Sequence, residues 1–275
     1  MKALILFLLI IPSLALSADN SSFYFDLTDG STKTAVHFSV TDPLGRQTGR
    51  LPNGALAKQI PGSSYGVESI ATEEGSDQGI EGSIFHLREV PAGTYAITIL
   101  GDASTSYQLT LLLDNRAGQS VSSSAPLQGF IMAGSTQQYV LPFDPTSALP
   151  ASVVKQVSFA SIRQDLQTAF QLGHIGDAKF VAKLDKILAK GEKALSKQGG
   201  KDRENMKEAV AKLREFIKKI EKAFKGAEDD DRDDDDKEKP TKSFVSEMAF
   251  KALKGDAEAL ITTLGGKPGK DDDDD

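Results

Sequence analysis

Hydrophobic residues recur at intervals of three and four positions in the C-terminal part of the chain. The clearest example runs from Lys201 to Lys225, where one face of a predicted helix carries Met206, Val210, Leu213, Ile217, Ile220 and Phe224. This spacing is typical of an amphipathic helix whose apolar face packs against a partner. Its predicted N-cap is Asp202. Most other positions hold lysine, arginine or glutamate, and Glu208 and Lys212, four residues apart, stabilise such a helix by about 0.2–0.5 kcal/mol.

The same periodicity predicts three more helices. One follows Asp177, a suitable N-cap, and another precedes it with the apolar residues Val154, Val157, Ile162, Leu166, Phe170 and Leu172. The last begins after Ser243 and ends at Gly265-Gly266, because glycine commonly terminates helices. Isolated helices of this length are marginal in water, so the four are expected to pack together as a small bundle.

Between Phe23 and Pro145 hydrophobic residues alternate with polar ones, which predicts β-strands. Six segments show the pattern: Phe23–Thr28, Thr34–Thr41, Ser83–Val90, Thr94–Leu100, Tyr107–Leu113 and Thr136–Phe143. Turn sequences such as Asp29-Gly30 separate them. This arrangement favours an antiparallel β-sandwich, with inward-facing Val36, Phe38, Val40, Tyr95, Ile97 and Ile99. Gly62 to Gly82 is predicted to be a long surface loop.

The predicted fold class is therefore multidomain α and β, with an antiparallel β-sandwich followed by a small four-helix bundle. The predicted boundaries are a signal peptide at 1–17, the sandwich at 18–149, the helical domain at 150–225 and 243–265, an acidic disordered loop at 226–242 and an acidic tail at 266–275. Three prolines between Pro142 and Ala151 mark the predicted linker.

The first residues of the chain have the features of an export signal. Lys2 precedes an uncharged stretch from Ala3 to Ala18, and small residues precede a predicted cleavage after Ser17. A membrane anchor is the alternative, but the stretch is shorter than the ~20 residues that span a bilayer. The chain contains no cysteine, which excludes a disulfide framework and a lipoprotein anchor and favours a bacterial exported protein. The predicted location is extracellular or at the cell envelope.

Two segments resemble known extracellular modules. The order of apolar residues from Leu166 to Asp202, followed by AVAKLREFIKKIEKAF at 209–224 and EMAFKALKGDAEALITTL at 247–264, resembles the FIMAH domain. This helical module often ends secreted bacterial proteins, and the resemblance implies no catalytic residues. The insert at 198–201 and the aspartate-rich loop depart from the family pattern. PAGTYAITILGDASTSYQLTLLL at 91–113 resembles a hairpin of accessory, Ig-like sandwich modules in secreted bacterial proteins.

Charge divides the chain into three parts. Residues 19–150 contain 6 basic and 13 acidic residues (net −7), residues 151–225 contain 17 and 9 (net +8), and residues 226–275 contain 8 and 17 (net −9). The basic helices favour an anionic cell-wall polymer or phospholipid headgroups as partner. Nucleic acid is not expected, because the lysine-bearing face lacks aromatic residues for base stacking. The acidic runs Glu228–Glu238 and Asp271–Asp275 lack EF-hand spacing and predict only diffuse, low-affinity calcium binding.

Candidate catalytic residues are few. The three histidines, His37, His86 and His174, show neither metal-binding nor triad spacing, and Glu73, Glu74 and Asp77 lie in the predicted loop. No catalytic residue, cofactor-binding residue or cofactor is assigned, and a metal site is left open. The predicted function is a secreted, non-catalytic binding or spacer protein of the bacterial cell surface or extracellular matrix. Its expected partner is a surface polymer, a polysaccharide or another protein. The alternatives are an accessory subunit of a secreted hydrolase and a low-affinity calcium-binding protein.

Overall fold

A computed structural model describes residues 18–70, 79–122, 126–197, 202–228 and 244–268. Within these ranges, eleven strands form two antiparallel sheets and four α-helices follow them. The prediction of antiparallel sheets followed by helices is thus confirmed. The predicted signal peptide at 1–17 lies outside the described residues, as does most of the acidic loop.

Five strands form the first sheet. They are β1 Ser22–Thr28, β5 Ser63–Ile70, β6 Ile80–Arg88, β8 Thr105–Asp114 and β9 Leu127–Ile131. Their order across the sheet is β5-β6-β1-β8-β9, so β1 is central and β9 forms one edge. The register places Phe25 opposite Phe85 on one side and Leu111 on the other.

Six strands form the second sheet. They are β2 Val36–Thr41, β3 Gln47–Arg50, β4 Leu56–Lys58, β7 Gly93–Gly101, β10 Thr136–Phe143 and β11 Val154–Lys155. Their order is β11-β10-β7-β2-β3-β4, so the two-residue strand β11 is an edge. The predicted linker begins inside this sheet, since Pro142 belongs to β10, and it ends against the segment that follows β8, where the Ala151 N–H donates to the Val121 carbonyl at 2.8 Å.

Side chains from both sheets share one hydrophobic core. Along β1, Phe23, Phe25 and Leu27 are buried while the residues between them are partly exposed, as the two-residue period of a strand requires. All six residues predicted to face inwards are buried. The Phe23 ring makes edge contacts with Tyr95 and Phe143 at centroid distances of 5.0 and 4.6 Å.

Strand β5 corrects the prediction of a long loop from Gly62 to Gly82. Ser63–Ile70 pairs with β6 along its whole length, and only residues 71–78 lie outside the described part of this stretch. Tyr65 anchors the strand because its ring packs edge-on against Phe38 and its hydroxyl donates to Ser83 Oγ at 3.2 Å. A single aromatic side chain thus ties a glycine- and serine-rich strand to the core. Strands β3, β4, β9 and β11 were also not predicted.

The four helices are α1 Phe159–Gln171, α2 Ala178–Leu195, α3 Asp202–Glu228 and α4 Glu247–Thr263. Asp177 caps α2 as predicted, by accepting a hydrogen bond from the Lys179 N–H at 2.8 Å. Helix α4 is capped by Ser246 rather than Ser243, because Ser246 Oγ accepts from the Ala249 N–H. Asp202 is the first residue of α3.

The assignment of Val154 and Val157 to the first helix is wrong. Val154 lies in β11, where it pairs with Val140, and helix α1 begins only at Phe159. The side chain of Ser158 closes α1 in a capping box with Ser161, which fixes the boundary between strand and helix. The apolar residues before this cap therefore belong to the sheet and the connection.

The apolar faces of the helices contact one another and also reach the first sheet. Helices α1 and α3 each contact α2 and α4. Phe130 of β9 belongs to the same hydrophobic cluster as Leu166, Leu188, Leu213 and Leu253 of the helices. The described residues include no helix that is both long and apolar enough to cross a membrane.

Candidate functional site

A buried ion-pair cluster joins the second sheet to two helices. Lys155 of β11 donates from Nζ to Asp165 Oδ2 of α1 at 2.7 Å and to Asp256 Oδ2 of α4 at 2.9 Å. The three side chains, which we call the junction cluster, are only 7 %, 1 % and 5 % exposed. Removing charges from water costs several kcal/mol per ion, so such a cluster is stable only with close pairing and full hydrogen bonding.

A chain of hydrogen bonds extends from the junction cluster into the sheets. Gln137 Nε2 donates to Asp165 Oδ1 at 2.7 Å and to the Phe130 carbonyl at 2.6 Å. The Tyr107 hydroxyl donates to Gln137 Oε1, and its oxygen lies 2.7 Å from the Tyr139 hydroxyl. Because the Tyr107 proton is used by Gln137, Tyr139 must donate to Tyr107. One connected network therefore links β8, β10, β11, α1 and α4.

Burial decides the protonation of this network. Burial raises the pKa of the Asp165 carboxyl well above its usual range; Lys155 opposes the rise and the negative charge of Asp256 adds to it. Burial alone would lower the pKa of Lys155, but the carboxylates of Asp256 and Asp165 outweigh it and the pKa is raised. Burial also raises the pKa of Tyr139 to about 12. Asp165 therefore retains its proton to higher pH than an exposed carboxyl does, which reduces the negative charge beside Lys155.

A cavity of about 450 Å³ lies beside the junction cluster. It is bounded by α4 on one side and by the edge strands β9 and β11 on the other, and Tyr139, Lys155 and Asp256 contribute to its lining. Most of the remaining wall is apolar or small, including Leu127, Val153, Val154, Ala252, Gly255 and Ala259. Its size falls within the range of small-molecule sites in proteins.

A row of lysines follows one exposed face of α2. Lys179, Lys183, Lys186, Lys190 and Lys193 are all exposed and are spaced alternately by four and three residues. This spacing places them along one side of the helix over about 21 Å, at 1.5 Å per residue. Val181, Leu184 and Leu188 on the opposite face of α2 are buried, so the lysine side chains point to solvent.

The acidic residues of α2 do not neutralise this lysine row. Both of them, Asp185 and Glu192, bind Arg163 of α1, at 2.7 and 3.2 Å. Among the described residues, none of the five lysines of the row forms an ion pair. Such a row of five like charges can bind an anionic surface whose charges repeat along its length.

Helix α3 extends the basic surface at one point. The pKa of Glu215 is lowered by its hydrogen bond to Lys212, with further lowering by Lys219 and by Lys190 of the lysine row. The effect of Lys190 indicates that the Glu215 carboxylate of α3 lies near the lysine row. The basic character predicted for residues 151–225 is thus divided between α2, which carries the lysine row, and α3, whose basic residues run from Arg203 to Lys225.

The three histidines have structural contacts. His37 is buried in β2, where Nδ1 lies 3.2 Å from Ser83 Oγ and Nε2 lies 3.4 Å from Asp102 Oδ2. His174 lies in the turn after α1, with Nδ1 2.9 Å from Ser246 Oγ and its ring against Phe130. His86 packs its ring edge against Tyr24. The three therefore do not converge on one site.

The acidic candidates fall largely outside the described residues. Glu73, Glu74, Asp77 and the run Asp271–Asp275 are not described, and Glu228 is the only residue of the run Glu228–Glu238 that is, as the end of α3. Among the described residues, no group of three or more His, Cys, Asp or Glu side chains is suited to hold a metal ion.

Two acidic residues on apolar helix faces are the sequence signal for the junction cluster. Asp165 lies three residues after Ile162 and one before Leu166, on the apolar face of α1, and Asp256 occupies the same kind of position after Leu253 in α4. A single carboxylate within an apolar helix face requires a buried partner. The partner, Lys155, lies outside both helices, so the sequence pattern alone does not identify it.

We compared the chain with protein-family models, with curated proteins and with solved structures, and none of the three comparisons gives a match.

Proposed function

We propose that the protein is a secreted, non-catalytic binding protein of the bacterial cell surface or extracellular matrix, and that the lysine row of α2 holds an anionic cell-wall polymer. In this proposal the two sheets form an accessory β-sandwich and the helices form a four-helix bundle of the FIMAH type. The observation that carries the proposal is the row of five exposed lysines on α2, a helix whose two carboxylates are both bound by Arg163.

The charge distribution supports a polymer rather than a single small anion. The lysines extend in a line and do not converge around a pocket, so each would contact a different charge of an extended partner. Each lysine close to an anionic surface contributes about 1 kcal/mol at physiological ionic strength. Such binding weakens as salt rises, because the Debye length falls from ~10 Å at 0.1 M to ~3 Å at 1 M.

The junction cluster supports one rigid body in place of two flexibly joined domains. Lys155 of the sheet binds carboxylates on α1 and α4, and Phe130 inserts into the helical core. Helices held on the sheets in this way would present the lysine row in a fixed orientation to the surface that the protein binds.

The proposal is tested by co-sedimentation with purified bacterial cell wall before and after removal of its phosphate-containing polymers. We expect binding to intact wall, loss at 1 M salt and loss after polymer removal. The variant Lys183→Gln/Lys186→Gln/Lys190→Gln should bind about 100-fold more weakly, since three contacts of about 1 kcal/mol are removed.

The matched control is Lys33→Gln/Lys58→Gln/Lys207→Gln, which removes the same charge from exposed positions outside the lysine row. If both triple variants lose binding equally, net charge and not the lysine row is responsible. Binding that survives polymer removal would contradict the proposed partner. Binding to anionic lipid vesicles but not to wall would assign the row to phospholipid headgroups instead.

A further inference from the structure

The cavity between α4 and the edge strands β9 and β11 is lined by a glycine that close packing does not require. Gly255 lies in the third turn of α4, where it lines the cavity and is exposed to solvent. A methyl group added at Gly255 would find no other atom within 4 Å. Glycine in a helix interior is unfavourable relative to alanine, so its presence here costs stability without permitting a close contact. Because glycine has no side chain, the cavity stays open over this turn of α4.

A second glycine in the helices shows the contrasting case. A methyl group at Gly191 of α2 would lie 2.5 Å from the Phe159 ring, so that glycine is required for close packing. Gly255 has no such neighbour, although Ala252 and Ala259 flank it on the same face. The space over α4 is therefore continuous and bounded mainly by apolar and small side chains.

Unused hydrogen-bonding capacity lies at the base of the cavity. The Lys155 ammonium has three N–H donors, and its acceptors among the described residues are Asp165 and Asp256, which use two. The Asp256 carboxylate has about four lone-pair sites, accepts from Lys155 and shares a hydrogen bond with the Asp165 carboxyl, so some of its lone pairs stay open. Both side chains line the cavity. A donor and an acceptor are thus available side by side.

The charge at the base defines the chemistry of a suitable ligand. The ion pair of Lys155 and Asp256 compensates its own charges, and Lys251, which also lines the cavity, is paired with Glu247 at 2.6 Å. An added ion at the buried base would therefore be left without a counter-charge. A neutral group that both donates and accepts hydrogen bonds matches the base without that cost. The apolar wall formed by Leu127, Val153 and Val154 suits a hydrocarbon body.

We propose that this cavity is a binding site for a small, neutral amphipathic molecule. Its hydroxyl or primary carboxamide group would hydrogen-bond to Lys155 and Asp256, and its apolar body would lie along α4 between Leu127 and Val154. This site is on α4 and is separate from the lysine row of α2, so the proposal does not depend on the proposed function.

The test is an NMR titration of the ¹⁵N-labelled protein with four six-carbon probes: hexan-1-ol, hexanamide, hexylammonium and hexanoate. We expect hexanol and hexanamide to shift the backbone amide signals of Gly255 and Ala259 saturably. The two charged probes should bind at least tenfold more weakly. No saturable shift with any probe, or equally tight binding of a charged probe, would overturn the proposal.

Variants at the cavity separate binding there from binding elsewhere. Gly255→Leu fills the cavity and should weaken hexanamide binding more than tenfold, with no fall in melting temperature. Ala182→Leu adds a leucine at an exposed position of α2 and should bind hexanamide as the parent protein does. Thr262→Trp narrows the exposed mouth and provides a second test if Gly255→Leu does not fold. Undiminished binding in a folded Gly255→Leu or Thr262→Trp variant would place the probe elsewhere and refute the site.

Discussion

The core between the sheets and the junction between sheets and helices are both buried, but they are built from different chemistry. Phe23, Phe25 and Tyr95 fill the sheet core with rings in contact, whereas Lys155, Asp165 and Asp256 meet at the junction. Apolar burial is favourable but has no direction, while ion pairs and hydrogen bonds require particular atoms to meet. The sheet core therefore supplies stability, and the junction fixes how the helices sit on the sheets.

The largest expected effect comes from breaking the junction on one side. Lys155→Met leaves the buried acidic groups of Asp165 and Asp256 without their cation and hydrogen-bond donor, so we expect the free energy of unfolding to fall by about 3–5 kcal/mol. Urea denaturation followed by circular dichroism measures this loss. Since Asp165 and Asp256 lie on different helices, the helical part should lose its fixed position before the sheet core unfolds.

The matched comparison is the triple variant Lys155→Met/Asp165→Leu/Asp256→Leu. Replacing a whole buried ion cluster by apolar side chains of similar size is often neutral or stabilising, so it should recover most or all of the lost stability. A single variant that costs less than about 1 kcal/mol would show that the junction is solvated, and the contrast with the sheet core would not hold.

The next effect concerns the helical core, which is apolar like the sheet core. In Gly191→Ala the new Cβ would lie 2.5 Å from the Phe159 ring and 3.3 Å from Lys212 Cβ. Overpacking of this kind costs about 1–3 kcal/mol, even though alanine has the better helix propensity. Thermal unfolding measures the loss, and an unchanged melting temperature would mean that α2 and Phe159 can move apart freely.

The comparison also explains what the sequence predicts well. Long alternating segments such as Tyr107–Leu113 and the stripe on α3 repeat their signal many times, and the structure contains those elements. Strands β3, β4 and β11 have only two to four residues, too few for a period to appear. These strands form because neighbouring strands supply their hydrogen bonds. The residues of a short segment do not show which strands will lie beside it in the fold.

The candidate sites differ in the same way. The lysine row follows from helix periodicity within one segment, and the sequence already indicated basic helices there. The junction cluster and the cavity join residues 155 and 256, about one hundred positions apart, and only the packing of α4 against β11 brings them together. Sequence periodicity shows that Asp165 and Asp256 lie on apolar faces, but it does not supply their common partner.

A third prediction tests a partly exposed carboxylate that has one buried oxygen atom. Asp26 lies in the central strand β1, and its Oδ1 is buried without a hydrogen-bond partner among the described residues. Burial raises the pKa of Asp26. Asp26→Asn removes the charge, and we expect it to stabilise the fold by about 1 kcal/mol at pH 7, as measured by urea denaturation.

The expected pH dependence follows from the direction of the Asp26 shift. Between the ordinary pKa of 3.8 and the raised pKa of the folded state, the folded protein keeps a proton that the unfolded chain has lost. The stability of the parent protein therefore falls as pH rises through this interval, and that contribution stays lost above it. The advantage of Asp26→Asn should disappear below about pH 4. An advantage that is constant from pH 3 to 7 would exclude the charge as its cause.

The smallest expected effect separates the two helical glycines and sharpens the comparison of packed and open regions. Gly255→Ala adds a methyl group where no atom lies within 4 Å, so the helix gains propensity without a clash. We expect the free energy of unfolding to rise by about 0.5–1 kcal/mol, the opposite sign to Gly191→Ala. Thermal unfolding of both variants under the same conditions makes the comparison direct. If both substitutions destabilise the protein, α4 must approach β9 and β11 as closely as α2 approaches Phe159, and the region beside the junction is packed. If the two effects have opposite signs, this side of α4 is open while the helical core around Gly191 is close-packed.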